Sequence, residues 1–387
     1  MKVLLVASRF PWPPHTGDRV RAVAWLEALA GCADVTLVAP SGELPTDGPA
    51  CTLVPATRAP GRYPLAALRV LARGLPWTSL LAAGFDWKRA LRAAELAGGP
   101  FDTTIVQLAR LDPWVFGILP RSRRILDAID SLGANLGERA AAAHGPARVF
   151  WRHEALTTAR LEGDCGRRYD AVSVVAAGEC TAFGARAVAI PHGVGLGPLS
   201  ERPRDIDVAF WGRLAYFANS DAARFLLDAI WPLVRARRPG ATLLVGGADA
   251  PAWLLKAGGW DGVTVQSPLE DREAVLRRVR VAVVPLRFGT GMSNKVLEAA
   301  DAACAVVSTP QGVRGLPELA AKVSSGQSAE ELAAGIVDLL EHPDVALSQG
   351  RELRHEAESW YSRLSAGQRL VALARGARER GMSWGEI

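Results

Sequence analysis

The sequence predicts an α/β protein made of two Rossmann-like domains with parallel sheets. Short apolar runs recur at strand length and stop at glycine, proline or small polar residues, as strands buried on both faces do. Helical apolar spacing fills the intervals between them, the alternation of a parallel sheet. At 387 residues the chain is too long for one compact core and suits two domains of about 190 residues each.

Composition narrows the class. Hydrophobic residues make up 49% and charged residues 22%, ordinary for a globular protein in water. Forty-five basic against 40 acidic residues give a net charge of +5 and a pI near 9.1. That bias suits anionic substrates or an anionic membrane surface and is too small to argue for nucleic acid. Cys32, Cys51, Cys165, Cys180 and Cys304 form no CxxC pair and read as reduced thiols. No apolar run approaches the roughly 18 residues of a membrane span, and Met1-Lys2 leads straight into a strand. The expected location is cytoplasmic, with contact at the inner face of a membrane left open.

From the N-terminus, Val3 to Ala7 is a strand, followed by the turn-rich loop Pro11-Trp12-Pro13-Pro14-His15-Thr16-Gly17-Asp18. A helix from about Arg19 to Ala30 places Val20, Val23, Ala24 and Leu26 near the core, and Asp34 to Ala39 returns as a strand. This βαβ opening lacks G-x-G-x-x-G, which disfavours a dehydrogenase. Thr103 to Val106, Ile125 to Ala128, Ala171 to Val175 and Val188 to Ile190 read as further strands. Asp127 and Asp130 should reach the C-terminal sheet edge, where ligands bind in open α/β folds. Asp130 serves either a site or the cap of the helix after Ser131. His15 and Asp18 face the same edge if the sheet is parallel; a solvated role fits them equally. Between these strands, Tyr63 to Leu81 mixes leucines with Arg69, Arg73 and Trp77. It reads as an amphipathic helix packed on the domain or as one lying on an anionic interface.

The Gly/Pro-rich stretch around Gly195 to Ser200, then charged Glu201 to Asp205, predicts the domain boundary: 1–198 first domain, 199–363 second, 364–387 a helix returning to the first. Asp205-Ile206-Asp207 matches the D-x-D of metal-dependent sugar transferases only formally, because Asp207 starts a strand; no metal is expected. The second domain opens with the strand Val208 to Trp211, ended by Gly212-Arg213. A helix after Asn219-Ser220, strands at Thr242 to Val245 and Val263 to Gln266, and helices at about Ala329 to Leu340 and Asp344 to Leu364 follow. The last helix, from Gly367, carries Leu370, Val371 and Leu373, which need a surface to cover them.

The stretch from Val281 to Leu316 concentrates the chemistry. A strand ends at Pro285, and Gly289, Thr290 and Gly291 form a loop that lets backbone approach a ligand. Ser293 then caps a helix whose N–H groups and dipole suit a phosphate. Lys295 in its first turn opposes the dipole unless an anion sits there, so it reads as a phosphate ligand against a surface lysine. Glu298, one turn on, suits a vicinal diol such as a ribose, or a surface ion pair. Arg213 would bridge a diphosphate from the other side. Ala305 to Ser308 leads to the turn Thr309-Pro310-Gln311-Gly312.

These parts, in this order, resemble a GT-B glycosyltransferase of family four, particularly its exopolysaccharide-associated sugar transferases. The resemblance spans nearly the whole chain through R-F-P-W-P-P-x-x-G-D-R-x-R at its start, Leu-Asp-x-x-Asp-Ser, Pro191-His192-Gly193-Val194, and P-L-R-x-G-x-G-x-x-N-K-V-L-E-A. It implies two domains facing across a cleft, a nucleoside diphosphate sugar held mostly by the second, and transfer with retention and no metal or other cofactor. It assigns donor binding to Gly17, Arg213, Gly289, Thr290, Gly291, Met292, Ser293, Asn294, Lys295, Glu298 and Gly312. His15, Asp18 and Asp127 fall on the acceptor side, and Asp130, Arg213 and Lys295 are the catalytic candidates. Two positions depart from the family: Thr290 stands in place of the first of two glutamates, and Ala218 and Asn219 replace a lysine. The implied activity is sugar transfer to a glycan or lipid-linked hydroxyl, with domain closure excluding water. A nucleotide-sugar epimerase or hydrolase, or a silent nucleotide-binding assembly protein, are the competing expectations.

Overall fold

Two all-parallel sheets organise the chain in the computed structural model, which describes every residue except His15, Leu196, 198–202, Thr290 and 377–387. One unit comprises 1–193 and the segment from Arg363, the other Val194–Ser362. Sequence patterning places these changes at 198/199 and 363/364; the first of those falls outside the described residues.

In the first unit, β1 (Lys2–Val6), β2 (Asp34–Pro40), β3 (Thr52–Ala56), β4 (Thr103–Gln107), β5 (Arg123–Ile129), β6 (Ala171–Val174) and β7 (Ala187–Ala189) lie in the order 3-2-1-4-5-6-7. Every pairing is parallel, with Leu4 opposite Thr36 on one side and Thr104 on the other. The central strands are buried on both faces, which is why they read as continuous apolar runs. Helix α1 (Gly17–Leu29) buries Arg21, Ala22, Trp25, Leu26 and Leu29. Of the expected core-facing residues, Leu26 is buried and Ala24 packs against the core cluster, whereas Val20 and Val23 are only half-buried. The buried stripe includes a charged residue, Arg21, whose Nε lies 3.1 Å from Oδ1 of buried Asp127. Farther along lie α2 (Tyr63–Arg73), α3 (Leu132–Ala142) and the 24-residue α4 (Gly145–Arg168).

The second unit holds β8 (Ile206–Trp211), β9 (Leu243–Gly246), β10 (Val263–Gln266), β11 (Val279–Val284), β12 (Ala305–Ser308) and β13 (Ser324–Ser325), in the order 10-9-8-11-12-13. Its helices include α5 (Phe217–Phe225), α6 (Asn294–Asp301), α7 (Ala329–Glu341) and α8 (Pro343–Tyr361). Helix α5 starts before Asn219, not after Ser220, and a π turn at Leu226–Ile230 continues it. The helical run then stops at Ser362, whose extended backbone ends α8.

Helix α9 (Arg363–Arg375) belongs to the first unit. Leu370, Leu373 and Ala374 join Trp25, Leu26 and Leu29 in one core cluster, and Thr103 Oγ1 donates to Ala374 O at 2.9 Å. Covering each leucine contributes about 1.5–3 kcal/mol. The five cysteines are free, and no helix among the described residues is long and apolar enough to cross a membrane.

Candidate functional site

In each sheet the strand order reverses once, and in open α/β sheets ligands bind outside the carboxyl ends of the strands at such a point. For the second unit the switch lies between β8 and β11. Strand β8 ends in Trp211-Gly212-Arg213, and β11 runs into the loop that feeds α6.

Two glycines make the first of these ends. Gly212 has φ +149° and Gly247 φ +144°, and a Cβ on Gly247 would stand 1.8 Å from Gly212 O. Only glycine lets the two strand ends cross so closely. The space above Gly212 is filled by Lys295, whose Cε and Nζ lie 3.2 Å from where a Gly212 Cβ would be. Asn219, buried in the first turn of α5, accepts from Lys295 Nζ at 2.8 Å and donates to Arg213 O at 2.9 Å. Burial pushes the Lys295 amine down to about 8, with Glu298 opposing and Arg272 adding to the shift. The ammonium thus sits beside a backbone turn at the start of α6, where the helix dipole and free N–H groups favour an anion.

Glu298 stands one turn along α6. Its Oε2 accepts from Trp211 Nε1 and its Oε1 pairs with Arg272 at 3.2 Å. A carboxylate offers about four lone-pair sites, so two stay available to a diol. The loop before α6 is braced by the turn after β12. Gln311 Nε2 donates to Gly289 O, and a Cβ on Gly315 would come within 2.3 Å of Gly291 O. Gly312 N–H bonds Thr309 Oγ1 at 3.2 Å, a local cap rather than an open donor. Ser293 occupies the N-cap position of α6 but makes no capping bond. Its Oγ and Asn294 Oδ1 are buried without a partner.

Arg213 is differently placed from the expectation. Its side chain is 62% exposed and paired with Asp249 at 2.7 Å, so reaching a diphosphate requires that pair to open. Arg287, from the same motif, grips Asp221 in a fork at 2.9 and 2.5 Å and ties the loop to α5. Asp205 and Asp207 are held by Arg278 at 2.5 Å and Arg280 at 3.1 Å, as partners at the sheet's edge.

The first unit's switch lies between β1 and β4. Asp18 accepts from Thr16 Oγ1 at 2.5 Å and lies 3.4 Å from Arg9 and 3.9 Å from Arg110; its backbone carbonyl takes Gln107 Nε2 at 2.7 Å. Leu108 and Ile129, at the ends of β4 and β5, have φ +72° and +71°, conformations that bulky residues avoid and that mark functional sites more than scaffolds. The bend at Ile129 turns Asp130 out of the strand, with its N–H on Ala128 O at 2.9 Å. Burial and then Glu179 push Asp130 up to about 7 against the pull of Arg110. Ser131, not Asp130, caps α3: its Oγ accepts from Ala134 N at 3.1 Å and donates to Glu162 Oε2 at 2.8 Å. Glu162, raised to about 7 chiefly by burial, also takes Gly133 N–H at 3.1 Å.

Asp127 does not belong to this edge. It is fully buried within β5, where Arg21 and Ser173 hold it, so no acceptor reaches it. Gly17 opens α1 with no atom within 4 Å of where a Cβ would stand. His15 and Thr290 lie outside the described residues.

One comparison bears on the second unit. Residues 205–342 match the family of Glycosyl transferases group 1. No curated protein matches the chain in sequence. Among solved structures, a sucrose-phosphate synthase from Thermosynechococcus elongatus is similar with a TM-score of 0.74 at 16% identity, over 97% of this chain and 98% of that one. A trehalose-6-phosphate protein from E. coli bound with UDP-2-fluoro glucose gives 0.67 at 15% identity, over 98% and 100%. Anabaena HepE in complex with UDP gives 0.65 at 15%, over 97% and 100%. At that identity the likeness shows the fold, which is GT-B.

Within the group 1 domain, the structure brings Lys295, Glu298, Gly289, Gly291 and Met292 to one loop and helix start. Sequence reasoning missed Trp211, Arg272 and Gln311 as site residues. Only Asn219 carried a signal, as the residue standing where the resemblance expects a lysine. In the first unit, Arg110, Glu162 and Glu179 went unnoticed because each acts across the sheet edge on a residue distant in sequence.

Proposed function

We propose that the chain is a glycosyltransferase of the family-four, exopolysaccharide-associated type. It moves a sugar from a nucleoside diphosphate sugar to a hydroxyl of a glycan or lipid-linked acceptor. One observation carries this: Lys295, with its amine lowered to about 8, is clamped by Asn219 over the Gly212 turn at the start of α6, one turn before Glu298. That is an ammonium and a helix terminus spaced for a pyrophosphate, with a carboxylate spaced for its ribose. The group 1 match over these residues and the two neighbours solved with UDP ligands support a UDP-sugar donor.

The chemistry follows from charge. As the C1–O bond to the diphosphate breaks, negative charge grows on the leaving oxygen, and Lys295 with the α6 N–H groups stabilises it. Arg213 joins them once freed from Asp249. With the leaving group so stabilised, transfer with retention needs no strong external base, and no metal is assigned because Asp205 and Asp207 are already taken by arginines. Acceptor handling we assign to Asp130 and Asp18 in the first unit, Asp130 orienting or deprotonating the incoming hydroxyl.

A thermal-shift screen across nucleotide sugars tests the donor. Saturation at about 100 times Kd adds roughly 2.7 kcal/mol of stability, and absence of any shift refutes the reading. Supplying acceptor with the stabilising donor must yield a glycosidic product; donor consumed without one identifies a hydrolase or epimerase. Binding without consumption identifies a silent nucleotide-binding protein.

A further inference from the structure

Helix α2 has two apolar faces. Ala66 and Val70 are buried against the first unit, and at 3.6 residues per turn Leu65, Leu68 and Leu71 lie across the helix from them. Those three leucines are 73%, 63% and 62% exposed. The helix is held fast: Arg69 donates to Pro113 O at 2.8 Å and lies over the Trp114 ring. The chain that follows α2 docks on α4, where Glu154 accepts from Trp77 N at 2.8 Å and Thr78 N at 3.1 Å. One turn before Glu154, α4 exposes Phe150 and Val149, and Leu81 is exposed beyond the docked segment. Fixed elements of one unit therefore present an apolar ridge that no described residue covers.

Its charge selects the occupant. No acidic residue occurs between Asp47 and Asp86, a stretch holding Arg58, Arg62, Arg69 and Arg73. None occurs between Glu138 and Glu154, where Arg139, Arg148 and Arg152 stand. Arg73, Arg148 and Arg152 are exposed. Leucines flanked by arginines, of which Arg62 is paired with Asp86 at 2.9 Å, match a surface that is apolar beneath and anionic above, with arginine stems reaching to its headgroups. We propose that this ridge seats the first unit on an anionic lipid bilayer, with Leu65, Leu68, Leu71 and Phe150 in the interface. The inference is independent of the donor-site reading.

Flotation of the full chain with phosphatidylcholine vesicles, with and without phosphatidylglycerol, tests it. The chain should float only with the phosphatidylglycerol vesicles, and less so in high salt. Leu68→Glu/Leu71→Glu should cut partitioning at least about tenfold, and Arg73→Gln/Arg148→Gln about fivefold for each charge. All four positions are exposed, so melting curves should match the parent. Equal flotation of parent and variants, or no flotation with anionic vesicles, overturns the proposal. So does a dimer in sedimentation velocity that Leu68→Glu/Leu71→Glu dissolves, because the ridge would then face a second copy.

Discussion

The Lys295 amine turns the proposed donor site into a pH-dependent one. With the free group titrating near 8, about nine-tenths of the protein carries the charge at pH 7 and about one-tenth at pH 9. A diphosphate binds the charged form and holds its proton, so affinity is full below that value and falls as pH rises through it. Over those two pH units, UDP affinity should weaken about tenfold, or roughly 1.4 kcal/mol. The nucleotide's terminal phosphate, with its second ionisation near 6, is already about nine-tenths ionised at pH 7, so its change up to pH 9 is small beside that of the amine. Lys295→Ala should lose about 1.5–3 kcal/mol at pH 7, the range of a charge-assisted hydrogen bond, and should flatten the profile. Titration calorimetry at both pH values, on parent and variant, measures the effect. Any ionisation of the base itself appears in both proteins, so the difference in slope isolates the amine. A parent slope equal to the variant's would refute the assignment of Lys295 to the phosphates.

Three further outcomes follow. Asp130→Asn should lower transfer by about 10²–10⁴-fold and abolish a rise in rate through pH 7, read from a steady-state pH profile. Because folding raises this carboxyl's value from near 3.8 to about 7, its burial costs progressively more stability as pH rises across that window, and Asp130→Asn should lift Tm more at pH 8 than at pH 5. Arg21→Met leaves Asp127 charged and buried without its partner and should cost about 3–5 kcal/mol in urea unfolding, most of it recovered in Arg21→Met/Asp127→Leu. Gly315→Ala, by driving a methyl into Gly291 O, should strain the loop by about 1–3 kcal/mol and weaken UDP binding more than it lowers Tm.

What could be read from the sequence divides along a physical line. Apolar, β-branched runs announce strands, so every strand but β3 and β13 was legible, whether buried like β1 and β8 or half-exposed like β7 and β10; β3, with Pro55 inside Thr52–Ala56, and the two-residue β13 were not. Lys295 and Glu298 were legible because helix spacing and the preceding glycines are local properties. Asp127 misled for the complementary reason. A carboxylate near a strand's end looks the same whether it faces solvent or an arginine arriving from 106 positions away, and only the tertiary pairing distinguishes them. Asn219 shows the converse case. Its partner Lys295 lies 76 residues downstream and brings an ammonium to this position. The clamp formed by Asn219, the Gly212 turn and Lys295 therefore needs each of its three parts, and Asn219→Ala should loosen the amine and lower UDP affinity without removing any charge.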